Sequence, residues 1–231
     1  MISNKVRSNN NKKLVHRRGI IGVESAIVLI AFVIVAAALS FVVLNMGFST
    51  TQKAKTTITS GLQEASSAME VAGVVTGSGD VANATLKVLA VPIKVASGGA
   101  SVNLAHDTAA VKYFSKSVTY DNIYKGTISN VTVNNLQDAV QEAVDRGYIS
   151  SNPVNSTAPT DSGAFIYWST NSNDNDILDS GETAVLVIAY KDTDRPSALD
   201  ILTTELIVPT GSPLSVSRQV PSITDTVVNM S

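Results

Sequence analysis

A chain of 231 residues can hold one ordinary domain with its own core and an appendage. It has no cysteine, which excludes disulfides, thiolate metal sites and a cysteine nucleophile. The formal net charge of −2 hides an uneven split. Lys5, Arg7, Lys12, Lys13, Arg17 and Arg18 fall within the first nineteen residues, which have no acid, leaving 11 of the 17 basic residues against all 19 acidic ones. An acidic body argues against nucleic acid as a partner, because phosphate binding needs clustered basic surface.

Next in chain order comes an apolar segment. Ser25 to Gln52 is 28 residues without a charge, and Ala26–Leu44 is apolar apart from Ser40. About 20 apolar residues match a bilayer core of roughly 30 Å. Without proline and apolar on all sides, the run predicts a helix. An amphipathic stretch follows, with Ala54, Ile58, Leu62, Ala65, Met69 and Ala72 at spacings of three and four. The predicted helix therefore covers residues 20–72, and Gly73, Gly77 and Gly79 are expected to end it.

Beyond Gly79 short Val-, Thr- and Tyr-rich runs alternate with turn residues. Strands are expected at 85–96, 109–114, 127–133, 163–169, 183–190, 201–208, 214–218 and 223–228. Many short strands at this spacing suggest an antiparallel sandwich over 73–231. One amphipathic helix interrupts, with Leu136, Ala139, Val140, Ala143 and Val144 on one face and Gly147 as its stop.

The N-terminus differs from a secretory signal, in which cleavage follows the apolar stretch. Here Arg17-Arg18-Gly19 followed by Ile20 precedes it, so a cut after Gly19 removes a basic leader, residues 1–19, and leaves the apolar helix on the mature chain. Arg17-Arg18-Gly19 before Ile20-Ile-Gly-Val-Glu-Ser-Ala26, the apolar run, and then Asn45-Met46-Gly47-Phe48 with Thr50-Thr-Gln-Lys-Ala54 resemble an archaellin, a member of the type IV pilin-like superfamily. The resemblance covers roughly residues 17–60. It implies an α+β protein, with a long N-terminal hydrophobic helix packed in a filament core and an outer immunoglobulin-like β-sandwich. It also implies leader removal by a prepilin-type peptidase, N-glycosylation, a precursor in the cytoplasmic membrane, and export into an extracellular swimming filament of identical subunits by the archaellum assembly and motor machinery. An archaeal adhesion pilin and a membrane-anchored pilin-like solute-binding protein are the alternatives.

Further residues carry expectations. Glu24 is the one charge within the mature apolar region. It is read either as a first-turn acid favoured by the helix dipole or as an assembly residue that pairs with the new amine of Ile20 on a neighbouring subunit. A charge in the membrane costs roughly 2.5–3.5 kcal/mol, which such a partner offsets. The loop Asn171–Glu182 places oxygen side chains at positions 1, 3, 5, 9 and 12, similar to an EF-hand calcium loop, although Asp176 stands where glycine is expected. Asp174, Asp176, Asp179 and Glu182 are candidate ligands for a structural calcium or magnesium ion, with an Asx-rich turn as the alternative. No cofactor is otherwise required. Asn83, Asn130, Asn155 and Asn229 head N-x-S/T sequons. The two histidines, His16 and His106, have no activated serine motif beside them, and no nucleotide-binding glycine loop occurs, so no enzyme is read here.

Overall fold

The computed structural model describes residues 18–66, 69–131, 133, 135–155 and 157–230, with the backbone alone for 18–21 and 63–66. The chain divides into two units, one up to Thr57 and one from Ile58.

Helix α1 (Arg18–Ser66) runs 49 residues, about 73 Å at the α-helical rise. It contains no proline, and its glycines 22, 47 and 61 have open space around them. It ends six residues earlier than the amphipathic period suggests. Met69, Glu70 and Val71 form a strand against Val95, Lys94 and Ile93. The Met69 side chain is buried in the domain core, and Glu70 pairs with Lys94 at 2.9 Å. The boundary therefore falls between Ser66 and Met69 rather than at 72/73, because burying Met69 in a preformed core outweighs one more helical turn in solvent.

The outer domain follows in chain order as β1 (Met69–Val71), β2 (Thr76–Asp80), β3 (Thr85–Val95), β4 (Val102–Asn103), β5 (Ala110–Phe114), β6 (Thr119–Tyr120), β7 (Tyr124–Ile128), α2 (Leu136–Asp145), β8 (Gly163–Thr170), β9 (Ile177–Leu178), β10 (Thr183–Ala189), β11 (Ile201–Ile207), β12 (Leu214–Gln219) and β13 (Val227–Asn229). Seven strands make one sheet in the order β13-β2-β3-β10-β8-β7, with β1 also on β3. A second sheet is β12-β11-β5-β6, and β4 pairs with β9. All pairs are antiparallel except β7 with β8. That parallel pair is joined through α2, as a parallel connection requires a crossover.

Side-chain alternation divides the core in two. Ala184, Leu186 and Ile188 of β10 and Ala164, Ile166 and Trp168 of β8 face the four-stranded sheet, where Val111, Tyr113, Leu202, Leu206 and Val216 meet them. The intervening Val185, Val187, Ala189, Phe165 and Tyr167 face α2 through Ala139, Val140 and Ala143. Both faces of β8 and β10 are thus covered, which is why they read as continuous apolar runs. At the start of α2, the Asn135 side chain accepts from the Asp138 amide at 2.8 Å. At its end, Gly147 (φ +74°) lets its amide reach Val144 O at 2.9 Å and that of Tyr148 reach Ala143 O at 2.8 Å.

Gly77-Ser78-Gly79 is not a helix stop but the middle of β2. A Cβ on Gly77 would lie 2.6 Å from Val88 O, and one on Gly79 2.6 Å from Ile223 Cγ2, so only glycine lets these backbones close up.

Candidate assembly interface and surface sites

Every residue of α1 from Gly22 to Leu62 is exposed. Val28, Phe32, Val35, Leu39, Val43 and Met46 are each more than half accessible, and apolar residues continue around the helix. By length and composition Gly22–Leu62 can cross a membrane. The helix stays suited to apolar surroundings beyond the aliphatic run, because its threonines satisfy themselves. Thr50, Thr51, Thr56 and Thr57 donate their hydroxyls to the carbonyls of Met46, Gly47, Gln52 and Lys53 at 2.8–2.9 Å. Such back-bonding leaves the hydroxyl no unmet donor.

Of the expected cleavage residues, Arg17 lies outside the described residues, and Arg18, Gly19 and Ile20 form the first turn of α1. Glu24 sits one turn further on, exposed, beside Ser25, Val28, Leu29 and Phe32.

The four sequon asparagines are all exposed, on separate parts of the outer domain. Asn83 lies in the β2–β3 turn, where its Nδ2 donates to Asp80 Oδ2 at 2.9 Å. That bond heads the causes holding the Asp80 carboxyl below its ordinary range. Asn130 Oδ1 accepts from Arg146, Asn155 follows the turn after Asn152, and Asn229 lies in β13.

Loop 171–182 brings its four carboxylates onto one turn without converging them. Asp176 accepts from Thr127 Oγ1. Asp179 accepts from Ser101 Oγ and, at 2.7 Å, from Asn173 Nδ2. Glu182, only 2% exposed, accepts from the amides of Ser172 at 2.8 Å and Asp179 at 3.1 Å. Asp174 takes a left-handed φ of 54° at the tip, an Asx-type turn geometry. Among the described residues no three His, Asp or Glu side chains gather where one ion could be held. With Asp176, Asp179 and Glu182 each accepting from donors of the same chain, and no three acids converging among the described residues, these residues as arranged do not fit a preformed hard-cation cage.

A buried acid that sequence reasoning missed stands elsewhere. Asp194, in a 3-10 turn Asp192–Asp194, is 2% exposed. Its Oδ2 accepts from Tyr120 Oη and from Ser162 Oγ at 2.6 Å each, its Oδ1 from Thr193 Oγ1 at 3.1 Å, and Lys191 Nζ lies 3.8 Å away. Burial pushes this carboxyl up, but the Ser162, Tyr120 and Thr193 hydroxyls with Lys191 outweigh it and hold it below its usual range. The node fastens β6, of the smaller sheet, to the loop before β8, of the larger one. Its neighbour Arg195 reaches Asp192 at 3.0 Å and Asp80 at 3.4 Å. In sequence these residues read as the charged turn Lys-Asp-Thr-Asp-Arg; only the apolar runs on either side hint that it is drawn inward. His106 and Asp107 are exposed, and the His106 ring stands 6.1 Å from that of Tyr124.

A sequence model of the archaeal-type flagellin family matches residues 19–218. A relative named probable flagellin 1, from Aeropyrum pernix, is 38% identical over 207 residues, spanning 85% of this chain and 95% of the relative. Flagellin FlaB2 of Saccharolobus shibatae is 37% identical over 139 residues, covering 59% of this chain and 45% of its own. Among solved structures, the archaeal flagellum of Methanospirillum hungatei superposes with a TM-score of 0.60 at 23% identity, covering 90% of this chain and 98% of that one. The archaeal flagellin FlaB1 of Methanocaldococcus jannaschii superposes with a TM-score of 0.57 at 16% identity, covering 71% and 96%. These two likenesses carry the architecture of a long helix or its outer β domain.

Proposed function

Since the chain belongs to the archaeal-type flagellin family and is a structural subunit of the extracellular archaeal flagellum filament, we propose that it polymerises by packing α1 against the α1 helices of identical subunits. The observation that carries this reading is the fully exposed apolar helix from Gly22 to Leu62. A surface of that size has two stable environments, lipid and other helices. The precursor rests in the cytoplasmic membrane, oriented by its basic leader. A prepilin-type peptidase cuts after Gly19, and the family match begins at that residue. The new Ile20 amine then pairs with Glu24 of a neighbour. Entry into the filament exchanges lipid contacts for dense helix packing, to which Ala36, Ala37 and Ala38 contribute close approach. The acidic β domain forms the exterior, with Asn83, Asn130, Asn155 and Asn229 open to N-glycosylation. The work is assembly rather than catalysis, turned into swimming by the archaellum motor. Because the relatives are named flagellins, the adhesion-pilin and solute-binding readings give way.

The test is direct. Deleting the gene should remove filaments and swimming, and N-terminal sequencing of sheared filaments should read Ile-Ile-Gly-Val-Glu from Ile20. Filaments and swimming that survive the deletion would sink the reading, and a start at Met1 would sink the cut.

A further inference from the structure

Between Gly22 and Leu62, α1 carries three charges, Glu24, Lys53 and Lys55. Among the described residues none of them forms an ion pair on its own chain. Glu24 and Lys53 are separated by 29 residues, about eight turns of 3.6 residues. They therefore share one helix face within about 20°, roughly 44 Å apart along the axis. Lys55 is displaced from Glu24 by about 8.6 turns and points to the other side.

The surroundings of the two same-face charges sharpen the contrast. Glu24 sits against Val28, Leu29 and Phe32. Lys53 shares its face with Ser49, Thr56 and Thr57, and the two threonine hydroxyls are turned back to the helix carbonyls at 2.9 Å. Lys53 is thus the one cation that face offers.

A helical filament of identical subunits joined head to tail keeps all its α1 helices parallel. At zero offset parallel copies set Glu24 against Glu24 and Lys53 against Lys53, which repel. At intermediate offsets Lys53 meets the neutral run Ser25–Gln52, where an unpaired ion is costly, even where Glu24 reaches an Ile20 amine. At an offset near 44 Å, the carboxylate of one copy meets the ammonium of another. The flexible four-carbon stem of lysine absorbs several ångströms of mismatch.

We infer that Glu24 of one subunit pairs with Lys53 of a second copy shifted by about 44 Å along parallel α1 helices, and that this pair selects the axial register of the filament. The inference rests on the filament reading above but not on the Ile20 contact, since a carboxylate can accept from both cations. Lys55, on the opposite face, takes no part in it.

The test is a charge-reversal cycle in cells making the full chain as their filament subunit. Wild type, Glu24→Lys, Lys53→Glu, Lys55→Glu and the double variants with Glu24→Lys are compared by the amount of subunit in sheared filaments. Membrane-inserted subunit is measured alongside, so that failed insertion is told from failed assembly. Lys53→Glu should lower filament yield about tenfold or more in the wild-type background, as expected for like charges forced together without water. In the Glu24→Lys background the same change should raise it, a reversal of sign that marks direct coupling. Lys55→Glu should show no such reversal. A Lys53→Glu variant that assembles at the wild-type level, a double variant no better than Glu24→Lys alone, or equal behaviour at 53 and 55 would overturn the pairing. Wild-type filaments lacking this chain would instead overturn the filament reading.

Discussion

Replacing Asp194 by Asn tests how the two sheets are fastened. Among the described residues the buried apolar side chains lie between Met69 and Met230, so residues 69–231 are the unit used for the measurement. An asparagine oxygen at the place of Oδ2 can still accept from Tyr120 and Ser162, which now donate at 2.6 Å. Each bond changes from a charged to a neutral acceptor, a loss of about 1 kcal/mol. Lys191 adds little because its ammonium faces solvent. The expected cost is thus about 2 kcal/mol, or about 4–8 °C in Tm for a domain of this size. Asp194→Ala should cost more, since it leaves the buried Ser162 hydroxyl without its acceptor. The pH dependence has a definite sign. The folded carboxyl titrates below its ordinary value, so its contribution is complete above an unfolded pKa of about 4 and fades as pH falls through the lowered folded value. Thermal unfolding followed by circular dichroism from pH 7 to pH 2 should show the gap between wild type and Asp194→Asn at full size at neutrality and closing in acid. Equal melting at pH 7, or a gap unchanged at pH 2, would refute the argument.

Gly79→Ala should destabilise the outer domain by about 2–3 kcal/mol, because the new Cβ overpacks a close approach of backbones. It would meet Ile223 Cγ2 at 2.6 Å and Asp225 O at 2.8 Å; denaturant unfolding reads the loss, and β13 should be the first segment to lose amide protection. Ala143→Leu forces three carbons between α2 and the seven-stranded sheet, where Ala143 is fully buried, at a cost of about 1–3 kcal/mol, again checked by denaturant unfolding. Calcium or magnesium at millimolar concentration should leave the Tm of the outer domain unchanged, since Asp176, Asp179 and Glu182 already have donors; a rise abolished by Asp179→Asn with Glu182→Gln would restore the cation reading. Glu182→Gln alone should cost about 1–3 kcal/mol with or without the ion, because it removes the charge from a buried acceptor of two amides.

What the sequence made legible follows from how local each signal is. β3, β8, β10 and β11 are long runs rich in β-branched or aromatic residues, and their observed bounds differ from expectation by a residue or so. Helix α2 was legible because its apolar period and the stop at Gly147 agree, and the structure adds a cap at Asn135. β2 was hidden because Thr-Gly-Ser-Gly-Asp has no strand propensity; it is a strand only because β3 and β13 supply its partners. β7 was displaced, expected at 127–133 and found at Tyr124–Ile128, because its register is set by the parallel neighbour β8. A pair as short as β4–β9 depends on contacts between distant segments that no local pattern encodes. The same holds for Asp194, whose partners Tyr120 and Ser162 are 74 and 32 residues away.

The two units differ in what the chain alone can complete. In the outer domain alternate side chains of β8 and β10 find cover on both faces, and the buried carboxylates of Glu182 and Asp194 find donors within the same chain. Helix α1 by itself satisfies its backbone and the hydroxyls of Thr50, Thr51, Thr56 and Thr57. Its aliphatic surface and its charges at 24 and 53 find no partner among the described residues of one copy. Burying a single exposed leucine or valine contributes about 1.5–3 kcal/mol, and α1 exposes more than a dozen large apolar side chains between Val23 and Leu62. Stabilisation of that size is withheld until lipid or other helices surround it, so folding of the outer domain and burial of α1 are separate events. Substitutions on α1 should accordingly change the yield of filaments while leaving the melting of the outer domain where it was, and those at Asp194 or Gly79 should do the reverse first. A variant such as Phe32→Asp that lowered the outer-domain Tm as well as filament yield would show that the two units are not energetically independent.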